Sequence, residues 1–233
     1  MTSSGAIPVR TLIVAAVVGT AIGSNVSVQV AAPVLKAGES WTYREMEAYG
    51  MRRELARRTT EVVESGSSGV RLAVRSSTQE AVAEVRLAEP GQLAAGYLSR
   101  QVTFSRIDPP LVLRPYPLTE GKRWEQKVSR LDPLIGAQRS VHLSGRVVGW
   151  EKVRVPAGEF DALKIERVLY LGDAGRFRTQ TRRTEEEWYV PSLKAPAKLR
   201  IWEEASDSTV PRILRYTLIN RELYELVEYR VDG

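Results

Sequence analysis

Few residues in this chain are equipped for covalent chemistry. There is no Cys and a single His, His142. Thiol nucleophiles, thiolate metal sites, disulfides and His clusters are therefore excluded. A serine hydrolase needs a base of near-neutral pKa beside its Ser. Ser140 and Ser144 flank His142 at two-residue spacing. On an extended strand such residues point in parallel, about 7 Å apart, which is a poor approach for hydroxyl to imidazole. No Gly-x-Ser-x-Gly elbow occurs in the sequence. His142 reads as a solvated residue on a strand face, and the expectation is a protein without catalytic residues.

The carboxylates gather at Glu185-Glu186-Glu187 and at Glu203-Glu204 with Asp207. Two carboxylates across a cleft would suit glycoside hydrolysis. The simpler reading is exposed strand residues paired with the many arginines. A calcium loop of alternating Asp or Asn closed by Glu is missing, so neither a metal nor a cofactor is expected. The chain is basic, with 34 Lys and Arg against 28 Asp and Glu. Arg176, Arg178 and Arg182 share a face of one strand, with Arg183 beside them, but Phe177 is the only interleaved aromatic and Glu185–Glu187 follow at once. This pattern argues against nucleic acid as a partner. A mild positive charge suits an anionic membrane surface, such as phospholipid or lipopolysaccharide, better.

The elements that must position any site are strands. Val70, Leu72 and Val74 alternate with polar or small neighbours, as do Ala81, Ala83, Val85 and Leu87. Leu98, Val102 and Phe104, then Val141, Leu143 and Val147, then Leu214, Tyr216 and Leu218, and finally Leu223, Val227, Tyr229 and Val231 repeat the spacing. Period-two alternation gives one buried and one wet face, the mark of an antiparallel sheet. Residues 46–58 hold the best helical candidate, but Gly50 interrupts it and no clean apolar stripe runs through it; it reads as strand, turn, strand. Residues 191–196 have room for one helical turn.

Turn signals are closely spaced at Gly66-Ser67-Ser68-Gly69, Glu89-Pro90-Gly91, Pro156-Ala157-Gly158 and Gly172-Asp173-Ala174-Gly175. No linker or internal repeat divides the chain. Its 233 residues, 43% hydrophobic and 27% charged, suit one large domain. Residues 108–121 carry Pro109, Pro110, Pro115 and Pro117. Proline cannot donate to a central ladder, so this segment reads as an edge or as a loop across a barrel mouth.

The predicted fold is thus all-β: a single large antiparallel sheet curved into an open or half-closed barrel, with little helix. If the sheet curls, inward aromatics would line a concave apolar groove. Trp41, Tyr43, Trp124, Phe160 and Trp188 are the candidate ligand-binding residues. Trp150 and Trp202 also fall on predicted strands.

The amino terminus reads as an export signal. Residues 1–10 hold one basic residue and no acid, and residues 11–23 (TLIVAAVVGTAIG) form an apolar run of signal length. A membrane span would need about 20 apolar residues. Cleavage points follow Gly23 or Ala32; a second apolar stretch, residues 26–35, leaves an uncleaved anchor as the other reading. Residues 1–32 are assigned to this leader and residues 36–233 to one β-domain. The expected location is periplasmic or otherwise exported.

Val147 to Arg167 reads VVGWEKVRVPAGEFDALKIER: a strand, a Pro156-Ala157-Gly158 turn, and a return strand opened by Phe160. Pro156 fixes φ at the first turn position and Gly158 accepts a positive φ at the third. Glu187-Trp188-Tyr189-Val190-Pro191 lies downstream, and Leu118-Thr119-Glu120-Gly121-Lys122-Arg123-Trp124 lies upstream. This order resembles the TapB-like exported bacterial β-domains of unknown function, which resemble the lipoprotein carriers LolA and LolB in shape. Those domains follow the Trp-Tyr-Val-Pro element with a glycine-flanked turn; here Ser192-Leu193-Lys194-Ala195-Pro196 stands instead. The resemblance implies a fold and a compartment, and no mechanism. Two functions are expected from these residues: a non-catalytic binding protein for a lipid, acyl chain or apolar peptide segment, or an accessory protein of an envelope assembly with a filled core and a protein partner.

Overall fold

The computed structural model describes residues 28–47, 53–100, 102–134, 136–174, 179–205 and 217–232. Twelve strands follow in order: β1 (Ser40–Met46), β2 (Glu54–Gly66), β3 (Gly69–Ser76), β4 (Gln79–Glu89), β5 (Gln92–Gly96), β6 (Ser105–Val112), β7 (Arg123–Asp132), β8 (Ala137–Val155), β9 (Gly158–Tyr170), β10 (Arg182–Val190), β11 (Ala195–Ala205) and β12 (Thr217–Arg230). Each strand pairs antiparallel with the next, and β1 pairs with β12 from Ser40↔Arg230 to Met46↔Leu223. The curvature implied by the alternation therefore runs to a closed barrel.

Residues 191–193 form a single 3-10 turn, and Lys194 ends it with φ 59°. Lys194 takes the left-handed backbone at this corner as a non-glycine residue. Its ammonium donates to Glu39, 2.5 Å away, and to the Asp232 carbonyl at 2.9 Å. One departure from the expected pattern lies at Leu98, Val102 and Phe104, which fall in the connection from β5 to β6 rather than on a strand. Leu98 and Val102 are buried in the core, so their apolar spacing records a loop folded into the barrel end. Residues 1–27 of the expected leader (1–32), Arg176, Phe177 and Arg178, Asp207, and the alternating Leu214 and Tyr216 lie outside the described residues, whereas Val30, within the span assigned to that leader, is described and buried.

The Pro156-Ala157-Gly158 turn joins β8 and β9 with Val155 opposite Gly158. This hairpin leans back over the barrel: the Ala157 amide donates to the Leu226 carbonyl of β12 at 3.0 Å. The proline-rich segment divides in two. Pro109 and Pro110 stand inside β6, and the ladder from β6 to β7 ends at Asp108↔Ser129 just before them. Beyond that point side chains replace the backbone pairing. Gln126 accepts from the Val112 amide at 2.8 Å and donates to the Pro110 carbonyl at 3.0 Å, while the Trp124 indole donates to the Val112 carbonyl at 2.9 Å. Residues 113–122 then fold into the mouth of the barrel. Leu118 there is fully buried and exchanges both backbone hydrogen bonds with Val30 at 2.8 Å. Val30, Leu118, Val147, Leu163, Ile165 and Tyr189 form one apolar cluster that fills this side of the mouth.

Trp124 stacks across the barrel wall onto Gly145 of β8, its register partner. A Cβ at residue 145 would overlap the Trp124 ring, whereas Gly66 has open space around it. Gly145→Ala is therefore expected to lower the unfolding free energy by about 1–3 kcal/mol in urea melts, with Gly66→Ala close to wild type. Equal melts for the two variants would remove the Trp124–Gly145 contact as a packing constraint.

Candidate functional site

The barrel interior is not simply apolar. Strand β9 presents Leu163, Ile165 and Leu169 inward, continued by Leu171 just beyond its end, with Arg167 in the middle of the same face. Its register partner on β10 is Glu185, and Arg183 and Glu187 share that inner face by two-residue spacing. Arg167 donates to Glu185 at 2.8 Å and to Glu187 at 2.5 Å. Arg114, from the segment after β6, donates to Glu187 at 2.5 Å. Arg183 donates to Glu185 at 2.6 Å and to Glu203 of β11 at 2.7 Å. Asn220 of β12 links Glu203, at 3.2 Å, to Glu222, at 2.6 Å. Arg100 joins Glu222, at 3.0 Å, to Glu45 of β1, and Arg58 of β2 lies 3.2 Å from Glu45. Five guanidiniums (Arg58, Arg100, Arg114, Arg167, Arg183) thus face five carboxylates (Glu45, Glu185, Glu187, Glu203, Glu222) around the lumen.

This corrects the expectation that the Glu185–Glu187 and Glu203 carboxylates are exposed. The pairing with arginine is as expected, but Glu185, Glu187 and Glu203 are buried. Alternation splits the triplet: Glu186 points outward, to Arg200 at 2.9 Å and Lys164 at 3.6 Å, while its neighbours point in. A twelve-stranded barrel is too wide for aliphatic side chains to meet at its centre. Long charged side chains from neighbouring strands line it instead, and each is paired because an isolated buried charge is prohibitively costly. Burial alone would raise the Glu185 carboxyl, but Arg167 and Arg183 outweigh it and hold it at about 2. Burial opposes Glu187 too, and Arg114 and Arg167 bring it below the ordinary carboxylate range. The sequence signal for this network is an Arg inside an apolar period-two series on β9, followed by Glu on the matching face of β10.

Next to the network, on the side of the mouth away from Leu118, a cavity of about 300 Å³ remains. Leu35, Trp41, Leu72, Val74, Leu87 and Leu199 provide its apolar wall, and Tyr43, Arg58, Arg114 and Lys194 reach it with polar groups. Trp41 and Tyr43 are anchored by their own donors, the indole to the Leu193 carbonyl at 2.7 Å and the phenol to the Pro196 carbonyl at 2.9 Å. Burial pushes the Tyr43 phenol above its ordinary range, so it stays protonated.

Of the five aromatic candidates, the structure brings Trp41 and Tyr43 together on this cavity. Trp124 lies across the barrel on Gly145. Phe160 sits near the β8–β9 tip, edge-on to Tyr229 at 6.3 Å between ring centroids. Trp188 is buried in the same apolar cluster as Trp41, against which Tyr43 and Phe160 also pack; Lys164, Lys198 and Arg200 lie within 5.7 Å of its ring centre and its indole donates to Glu151 at 2.9 Å. His142 is exposed, 2.6 Å from Glu125 and stacked on Tyr170, with no serine hydroxyl bonded to it among the described residues. No group of three or more metal-ligating side chains occurs among the described residues.

No known protein family and no curated protein matches the chain by sequence. Solved structures do match in fold. A protein of YmcC-like fold from Bacteroides fragilis, described as a candidate exported protein, aligns with 87% of this chain and 100% of its own at 12% identity and a TM-score of 0.50. A protein from Parabacteroides distasonis described as a lipoprotein covers 84% of this chain and 96% of its own at 14% identity and a TM-score of 0.46. A protein of Escherichia coli described as the hypothetical lipoprotein YmcC covers 82% and 84% at 7% identity and a TM-score of 0.43. The chain shares the YmcC-like fold of the Bacteroides fragilis protein.

Removing Arg167 takes one of two guanidinium partners from each of Glu185 and Glu187. Arg167→Met is expected to cost about 3–5 kcal/mol, read as a lowered urea midpoint. The carboxyl of Glu185 is lower in the folded protein than its ordinary 4.5. Its contribution is therefore complete above about pH 4.5 and is lost as pH falls toward about 2, a loss of roughly 3 kcal/mol. Unfolding free energies measured between pH 7 and 3 should fall on acidification, and a flat profile would contradict the buried ion pairs.

Proposed function

We propose that this chain is an exported, non-catalytic binding protein that holds an apolar or amphipathic guest in the cavity beside Trp41. The observation that carries the reading is the wall of Leu35, Trp41, Leu72, Val74 and Leu87 around about 300 Å³ of empty space in an otherwise ion-paired lumen. That volume is at the lower end of ligand pockets, and few convergent polar groups among apolar walls is their usual composition. Trp41 and Tyr43 are rigid there because their polar atoms are already bonded, so a guest meets a preformed surface. Export is supported by the apolar run at residues 11–23 behind Arg10; the Bacteroides fragilis neighbour is described in the same terms. The Pro156–Gly158 hairpin and its likeness to the TapB-like and carrier domains point the same way. Nothing in the reading asks for a catalytic group, and His142 serves Glu125 and Tyr170 on the outer surface.

A second reading, an accessory protein of an envelope assembly, is favoured by the filled side of the lumen. There the Arg–Glu chain and the Leu118 plug leave the interior occupied, and recognition would fall to loops.

An uncharged fluorescent probe, N-phenyl-1-naphthylamine, separates the two. The binding reading expects saturable fluorescence enhancement at one site per chain. Leu72→Trp, which fills the cavity, should weaken it at least about tenfold, the loss that roughly 1.4 kcal/mol of contact energy gives, with an unchanged far-ultraviolet spectrum. Probe binding that ignores Leu72→Trp, or none at all by the native protein, would count against the cavity and leave the assembly reading.

A further inference from the structure

We propose that the guest is a single-chain acyl carboxylate, with its hydrocarbon against Leu35, Trp41, Leu72, Val74 and Leu87 and its head group on Arg58 and Arg114. The inference rests on the apolar-guest reading and adds the chemistry of the head.

The charged residues that line the cavity are Arg58, Arg114 and Lys194, and no carboxylate lines it among the described residues. Their counter-ions, Glu45, Glu187 and Glu39, stand behind them in the wall. Each cation is thus neutralised from the rear and offers its remaining donors forward. Arg114 commits Nε to Glu187, and its two terminal nitrogens make no hydrogen bond among the described residues. The buried Nε of Arg58 faces Glu45 at 3.2 Å, and its two terminal nitrogens make no hydrogen bond among the described residues. Of the other polar groups, the Thr60 hydroxyl and one N–H of the Lys194 ammonium make no hydrogen bond among the described residues, and the rest are bonded. The Tyr43 hydroxyl donates to the Pro196 carbonyl, the Tyr224 hydroxyl to Glu222, and Lys194 to Glu39 and the Asp232 carbonyl.

A guanidinium can only donate. The guest must therefore carry an acceptor, and an anionic acceptor makes hydrogen bonds about twice as strong as a neutral one. A cationic head would meet like charge. The cavity of about 300 Å³ holds one chain: at ~30 Å³ per water-sized group it accommodates about ten such groups. Two acyl chains side by side would exceed it. The planar two-oxygen head of a carboxylate matches the forked face of Arg114.

The test is displacement of bound N-phenyl-1-naphthylamine at pH 7.5 by decanoate, decan-1-ol, decyltrimethylammonium and decyl phosphate, each below its micelle concentration. Decanoate should compete at least about tenfold more tightly than decan-1-ol, as loss of charge-assisted hydrogen bonds predicts, and decyltrimethylammonium should not compete. Arg58→Gln should erase the advantage of decanoate while leaving decan-1-ol unchanged. Arg114→Lys, which keeps a cation for Glu187, should reduce the advantage even if Arg58→Gln fails to fold. Equal competition by acid and alcohol, or an advantage that survives both variants, would overturn the head-group assignment and leave the apolar cavity standing. Tighter competition by decyl phosphate than by decanoate would overturn it in favour of a phosphate head. Failure of the probe itself to bind would remove both readings together.

Discussion

The structure depends on the pairing of opposite charges between neighbouring strands inside a barrel that aliphatic side chains alone do not fill. Arg167 is held on both sides by Glu185 and Glu187, and the chain of contacts continues through Arg183 and Glu203 on one side and Arg114 on the other. Each member has lost water, and each is tolerable only because its neighbour stays in place. The network is therefore a positional constraint more than a source of net stability. It fixes the relative registry of β9, β10 and β11 and sets the direction in which Arg114 faces. Replacing the whole chain by apolar residues of similar size would cost less than removing any one member.

The lumen is asymmetric as a result of prolines. Pro109 and Pro110 end the β6–β7 ladder early, and the chain that follows is free to turn inward with Leu118. One half of the mouth is plugged and the other is left hollow beside Trp41. Loss of backbone pairing is made good by Gln126 and Trp124, whose side chains satisfy Val112 and Pro110. Closure of β1 on β12 removes the open edges that strand addition would need. A protein partner would have to be recognised through side chains and loops.

Much of the architecture was legible from two-residue alternation, because the outer face of every strand meets water and the inner face does not. The Pro156–Gly158 turn was legible because φ at two positions decides it. Full closure was not, since alternation reports curvature and burial but not whether the first strand reaches the last. The polar interior was hidden by a habit of reading Glu and Arg as surface residues. Their place became visible only in register: Glu185 opposite Arg167, Glu203 opposite Arg183. The aromatic positions illustrate the same limit. Trp188 and Tyr189 are adjacent and both buried, yet they join different apolar clusters, Trp188 with Trp41 beneath Lys164, Lys198 and Arg200, and Tyr189 with Leu118. Only Trp41 and Tyr43, two apart on one strand, could be placed on a common face from sequence.

The union of the first strand with the last carries a kinetic consequence. Ser40 meets Arg230, so nearly the whole polypeptide must be present before the seam can zip. Local hairpins such as the β8–β9 pair can assemble early, but ring closure waits for the carboxy-terminal strand, and such long-range pairing is slow. A nascent chain emerging amino end first would hold β1 unpartnered on one flank throughout its synthesis or passage, the interval in which sticky strand flanks are most vulnerable to mispairing.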